Sequence, residues 1–131
     1  QMDKKQLDIA LEEFFHEVQV NSGIDIQFRK NEPTFTLTSE AELSIFRGVQ
    51  EAITNAMRHG QATRITVLLM YNPSQLVVTI KDNGTGAVDL APKGGLKSLQ
   101  ERLRAEGGSV TLEASNPGVT VQMILPNTEK Q

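Results

Sequence analysis

The run Arg64-Ile65-Thr66-Val67-Leu68-Leu69-Met70-Tyr71, with its return Leu76 to Lys81, constrains the fold more than any other part of the chain. Both runs are rich in β-branched and leucine side chains, which suit a pleated, half-buried surface. Asn72-Pro73-Ser74-Gln75 between them is turn chemistry, so the two runs predict a hairpin. A second hairpin is predicted near the end of the chain, Ser109 to Ala114 with Val119 to Leu125, around Asn116-Pro117-Gly118. Ile24 to Phe28 alternates with period two and reads as another strand. Thr34 to Leu37 reads as a short strand or as an extended linker.

Three stretches carry helical spacing instead. From about Asp3 to Val20, Leu7, Ala10, Leu11, Phe14, Phe15 and Val18 form one apolar stripe, closed by Asn21-Ser22-Gly23. A central helix is expected from Ser39 to Arg58 or His59, with Ile45, Val49, Ala52, Ile53 and Ala56 as its stripe. It should open on a capping box formed by Ser39 and Glu42 and stop at Gly60. Leu96 to Glu106 places Leu96, Leu99 and Leu103 on one side, ahead of Gly107-Gly108. The domain is expected to span 1–126, with Pro126 ending the fold and 127–131 a frayed tail. Hairpins with helices gathered on one face predict an α+β fold, a two-layer sandwich.

Composition narrows the function classes. A chain of 131 residues supports one domain with one core. The net charge of −3 and the scattered basic residues give no nucleic-acid footprint, so no nucleic-acid partner is expected. With no cysteine, disulfides, thiolate catalysis and cysteine zinc sites are excluded, which fits a cytoplasmic setting. No apolar run reaches membrane-spanning length. Because it starts on Gln1, the chain is read as a piece of a longer protein.

The chemistry-bearing residues fall in three places. Glu51, Asn55 and His59 recur four apart, with Arg58 beside them, and share a helix face apart from the apolar stripe. An ordinary amphipathic helix accounts for the same residues. Asp82-Asn83-Gly84-Thr85-Gly86 follows an apolar strand, where a carboxylate is often a turn residue and glycines let backbone approach a flat ligand. Lys93-Gly94-Gly95-Leu96 opens a helix, whose exposed N–H groups and dipole favour an anion such as phosphate. A flexible linker ending in a helix fits that stretch too. The aperiodic segment from Thr85 to Gly95 is long enough to suggest a functional or mobile loop. His16 reads as a structural or surface histidine.

In their order, these pieces resemble the ATP-binding catalytic domain of sensor histidine kinases. Glu51-x-x-x-Asn55-x-x-x-His59 looks like the N box, Asp82-x-Gly84-x-Gly86 like the first glycine box, and Gly95 to Leu103 like the second. Within the family the chain is most similar to the branch of nitrate/nitrite and lipid-fluidity sensors. The resemblance implies a Bergerat-type fold, a mixed sheet covered on one face by helices, and binding of ATP with Mg2+. It implies that Asp82 accepts from the adenine amino group, with Gly84 and Gly86 leaving room for the purine. Asn55 would hold magnesium through its oxygen, and Glu51 would be the catalytic residue, orienting or polarising the nucleophile. Arg58, His59, Lys93, Gly94, Gly95 and Leu96 would face the phosphates.

The implied partners are the dimerisation helices of the same protein, which carry the acceptor histidine, and a response regulator. The piece itself is expected to be a monomer, and the full protein a membrane-anchored homodimer. Three positions depart from the family pattern: Lys93 and Ser98 stand where glycines are usual, and Val119 where a threonine is usual. Thr120 is the nearest hydroxyl for the adenine site, though strand alternation sends it to the opposite face. The rival readings are a serine kinase of the anti-sigma-factor type and a degenerate, non-enzymatic interaction module.

Overall fold

A computed structural model describes residues 6–129. Chain order is α1 (Gln6–Ser22), β1 (Asp25–Lys30), α2 (Ser39–Arg58), β2 (Arg64–Asn72), β3 (Gln75–Asp82), α3 (Gly94–Ala105), β4 (Ser109–Ala114) and β5 (Val119–Pro126). The predicted start of the first helix at Asp3 lies outside the described residues. The strands form one sheet in the order β1-β2-β3-β5-β4. β1 pairs parallel with β2, and every other pair is antiparallel, so the sheet is mixed. Parallel neighbours need a crossover, and α2 supplies it.

One face of the sheet is apolar. Ile65, Val67, Leu69 and Tyr71 of β2, Leu76, Val78 and Ile80 of β3, and Val121, Met123 and Leu125 of β5 alternate into the core. Against them lie the predicted stripes: Leu7, Leu11 and Phe15 of α1, Ile45 through Ala56 of α2, and Leu96, Leu99 and Leu103 of α3. Ile45, Val49 and Ile53 are fully buried, and truncating one such side chain costs about 2–5 kcal/mol. The result is the expected two-layer α+β sandwich. It fixes both ends of α2 relative to the ends of β2 and β3.

Several boundaries differ from the sequence reading. The cap of α2 is Thr38, whose hydroxyl accepts from the Ala41 N–H at 3.1 Å, and Ser39 is already helical. The predicted capping box is therefore absent; of two adjacent hydroxyls, the one on extended backbone does the capping. Residues 34–37 form no strand and act as the extended linker, with Phe35 and Leu37 buried and the Thr34 hydroxyl bonded to the Asn72 carbonyl. α3 starts two residues early, at Gly94. The tail is held rather than frayed as far as Glu129. Asn127 bonds the Pro73 and Ser74 carbonyls of the β2–β3 turn, and the Glu129 carboxylate accepts from Thr36 N–H.

Two polar features sit inside the frame. Asp8 is buried and pairs with Lys30 at 3.2 Å, which clips α1 to β1. Burial works against the Lys30 charge, but bonds to Asp8 and Glu12 outweigh it and raise the ammonium above its ordinary range. Tyr71 packs edge-on against Phe35 at 5.3 Å. Its phenol is pushed up to about 12, chiefly by burial and then by the charges of Asp8 and Glu42.

Candidate nucleotide site

The site grows from the end of β3. Asp82, the last residue of that strand, is 8% exposed, and its Oδ1 accepts from the Gly84 N–H at 2.8 Å and the Val119 N–H at 3.3 Å. Oδ2 has no hydrogen-bond partner among the described residues. A buried carboxylate with one oxygen saturated and the other open is built to receive a donor. Next to it, Asn83 knits the strand ends together: its Oδ1 takes the N–H groups of Thr63 and Arg64, both at 2.9 Å.

The glycines here serve backbone contacts. A Cβ on Gly84 would run into the Gly60 carbonyl, which itself accepts the Thr85 N–H at 2.7 Å. Gly84 thus lets the loop after β3 press on the end of α2, rather than leaving room for a purine. The stop signal at Gly60 has a second use as the seat of that loop.

From α2, Glu51, Asn55 and His59 reach the same cavity, with Ala52 and Ala56 forming its apolar floor. From the loop before α3 come Gly86 to Asp89, Ala91, Lys93 and Gly94. Lys93 pairs with Asp89 at 3.0 Å. The Ala91 N–H first, and then Lys93, hold the Asp89 carboxyl below the usual carboxylate range. Gly95 backs onto Glu51, where an added Cβ would stand 3.3 Å from the carboxyl carbon. The Leu96 N–H is taken by the Lys93 carbonyl at 3.1 Å, so the donors left open at this helix start are those of Gly94 and Gly95. Leu96 contributes its buried side chain to the cavity wall instead.

The cavity has a volume of about 940 Å³, within the range of small-molecule sites. Of the predicted residues, Glu51, Asn55, His59, Asp82, Gly86, Lys93, Gly94 and Leu96 line it. Arg58, Gly84, Gly95 and Thr120 do not. Arg58 is exposed, off the cavity-facing side of α2. Thr120 fails for the reason the alternation gives: Val119 and Val121 face the cavity, so the residue between them faces away. Sequence reasoning missed Leu112 and Val121 and took Val119 only as the place of an absent hydroxyl, so the apolar wall the three form is new here. Strand parity alone could have placed its two valines.

Residues 40–129 match the family described as histidine kinase-, DNA gyrase B- and HSP90-like ATPase. The chain belongs to that family. This ATPase domain is 29% identical over 133 residues to the oxygen sensor histidine kinase NreB of Staphylococcus carnosus, covering 98% of the chain and 38% of the relative. It is 32% identical over 123 residues to the sensor histidine kinase YxjM of Bacillus subtilis, covering 89% of the chain and 29% of the relative. The domain therefore spans well under half of either relative.

Solved structures share its fold. The ATP-binding domain of PrrB from Mycobacterium tuberculosis superposes with a TM-score of 0.69 at 22% identity, over 96% of this chain and 94% of that one. The catalytic domain of the histidine kinase ThkA gives 0.76 at 17% identity, over 98% and 96%. The two-layer sandwich of the ATPase domain is thus the fold of histidine kinase ATP-binding domains.

Proposed function

We propose that this ATPase domain is the catalytic part of a two-component sensor histidine kinase. It supplies the γ-phosphoryl of Mg-ATP to a histidine on a dimerisation domain of the same protein, for relay to a response regulator. The observation that carries this reading is Asp82: a buried carboxylate with one open oxygen, at the edge of a slot walled by Ala52, Ala56, Leu96, Val119 and Val121. That combination suits a flat base presenting an amino group.

The rest of the lining suits a triphosphate with a divalent cation. Three carboxylates, Glu51, Asp82 and Asp89, face the cavity against one lysine and one histidine, so an anionic ligand needs a cation with it. The Asn55 side-chain oxygen is the hard, neutral donor for magnesium. When bound, magnesium supplies charge neutralisation across the phosphates. Lys93, His59 and the open N–H group of Gly94 hold the phosphate oxygens. Glu51, beside that helix start, orients the attacking imidazole and accepts its ring proton at a carboxylate oxygen.

NreB and YxjM are sensor histidine kinases, and ThkA is known in complex with the response regulator TrrA, which supports the same pairing here. No helix among the described residues is long and apolar enough to cross a membrane. We place the domain on the cytoplasmic side of a membrane-anchored homodimer, acting as a monomeric unit on its own. The degenerate-module reading loses ground because Lys93 and Val119 line an open cavity rather than block it.

The test has two arms. Calorimetric titration with a non-hydrolysable ATP analogue should show binding that strengthens with magnesium; no binding to the wild type would sink the proposal. In the full-length protein, labelled phosphate should appear in an acid-labile form. Acid-stable phosphoserine on a partner would point to the serine-kinase rival instead.

A further inference from the structure

We propose that Gly118 and Val119, at the start of β5, are positioning residues that set base selectivity by fixing the Asp82 carboxylate. The inference rests on the adenine reading of Asp82 given above. Gly118 is buried and has φ +90°, a conformation that L side chains rarely adopt. A Cβ there would collide with the Asp82 backbone oxygen and stand 2.6 Å from its Oδ1. Only a glycine allows the β4–β5 turn to close this tightly over Asp82. That closure brings the Val119 N–H onto Oδ1 at 3.3 Å, opposite the Gly84 N–H at 2.8 Å. The turn is braced from behind by Ser115, whose N–H bonds the Gly118 carbonyl at 3.1 Å and whose hydroxyl bonds that of Pro117 at 3.0 Å.

Two donors on one oxygen, from opposite sides of the site, fix the rotation of the carboxylate. Oδ2 is then a single acceptor aimed from a fixed point. A 6-amino group donates to it, whereas the 6-oxo group of guanine sets two acceptors against each other without a bridging proton. A carboxylate free to turn could swing away or admit a water and would lose that discrimination. Val119 acts through its main chain, so a valine does here what needs no side-chain hydroxyl.

Two variants attack the clamp by different means. Gly118→Ala adds atoms at the contact, and Val119→Pro deletes the N–H at the first residue of a strand, a place that tolerates proline. Affinities for non-hydrolysable ATP and GTP analogues are measured by calorimetry beside Asp82→Asn. Each clamp variant is expected to lower the ATP-over-GTP preference about tenfold; equal weakening of both nucleotides, the mark of a merely structural role, would overturn the inference. A wild type without preference, or a preference that survives in Asp82→Asn, overturns the adenine reading and this inference with it. A preference lost in Asp82→Asn but kept in both clamp variants overturns this inference alone. Should both clamp variants unfold, amide NMR decides: going from wild type to Asp82→Asn should move the Val119 N–H resonance together with that of Gly84. A stationary Val119 would refute the clamp.

Discussion

The two ends of the cavity are built differently. At the end proposed for the base, Asp82 is buried and held by main-chain donors from a loop and a strand, and Asn83 ties the same corner to β2. At the end proposed for the phosphates, the segment between β3 and α3 is irregular, Val88 is fully exposed, and Lys93 meets Asp89 in a pair that solvent reaches on both sides. The first end is preorganised by the sheet. The second offers charges that solvent screens until a ligand gathers them. On the function proposed above, recognition of the base would be a property of the fold, and recognition of the phosphates a property of a loop.

Substitutions at the two ends should separate along that line. Asp82→Asn turns the open acceptor into a donor facing a donor. It is expected to weaken ATP-analogue binding about a hundredfold while leaving thermal unfolding nearly unchanged, since the remaining oxygen still takes both main-chain bonds. Calorimetry and melting of the same sample check both halves. A smaller effect, about tenfold, is expected for Asn55→Ala, and only with magnesium present; equal weakening without the metal would mean that Asn55 does not hold it. Lys93→Ala should cost a few-fold in affinity and should lose that effect as salt is raised, the behaviour of an exposed charge. If Lys93→Ala outweighs Asp82→Asn, the contrast between the two ends is reversed.

The smallest effect is expected at the far end of β2. Tyr71 is the only tyrosine, and there is no tryptophan, so tyrosinate absorbance reports on this one side chain. Its folded pKa of about 12 lies above the ordinary 10.0. The folded state keeps the proton longer, so this contribution to stability is whole below pH 10 and is lost as pH rises toward 12. Near neutrality it should leave nucleotide binding untouched; an absorbance midpoint near 10 would show the ring to be less enclosed than its packing.

Most of the frame was legible in the sequence because it rests on local periodicity. The stripe Ile45, Val49, Ala52, Ile53 and Ala56 is buried as spaced, and both hairpins stand where β-branched runs flank turn residues. The choice of Thr38 over Ser39 as the cap turned on backbone angles that neighbouring hydroxyls do not reveal. That Asp82, Asn55 and Glu51 would meet in one place was legible, and all three line the cavity. The reasons for Gly84 and Gly118 were not, because each answers to backbone far away in the chain, at Gly60 and at Asp82. Val119 was read as a lost hydroxyl, and the structure shows it supplying a main-chain donor.

The bond from Val119 to Asp82 spans 37 positions of chain, and β5 is the last of the five strands of this sheet in chain order. A growing polypeptide therefore displays the whole polar face of α2, and even Asp82 itself, before it can hold the base-reading carboxylate still. On the proposed reading, nucleotide binding would report on the pairing of β4 with β5: chains that stop short of that hairpin would hold ATP poorly. Because the ligand favours only the finished state, a concentration one hundred times its dissociation constant adds about 2.7 kcal/mol to the stability of the whole domain.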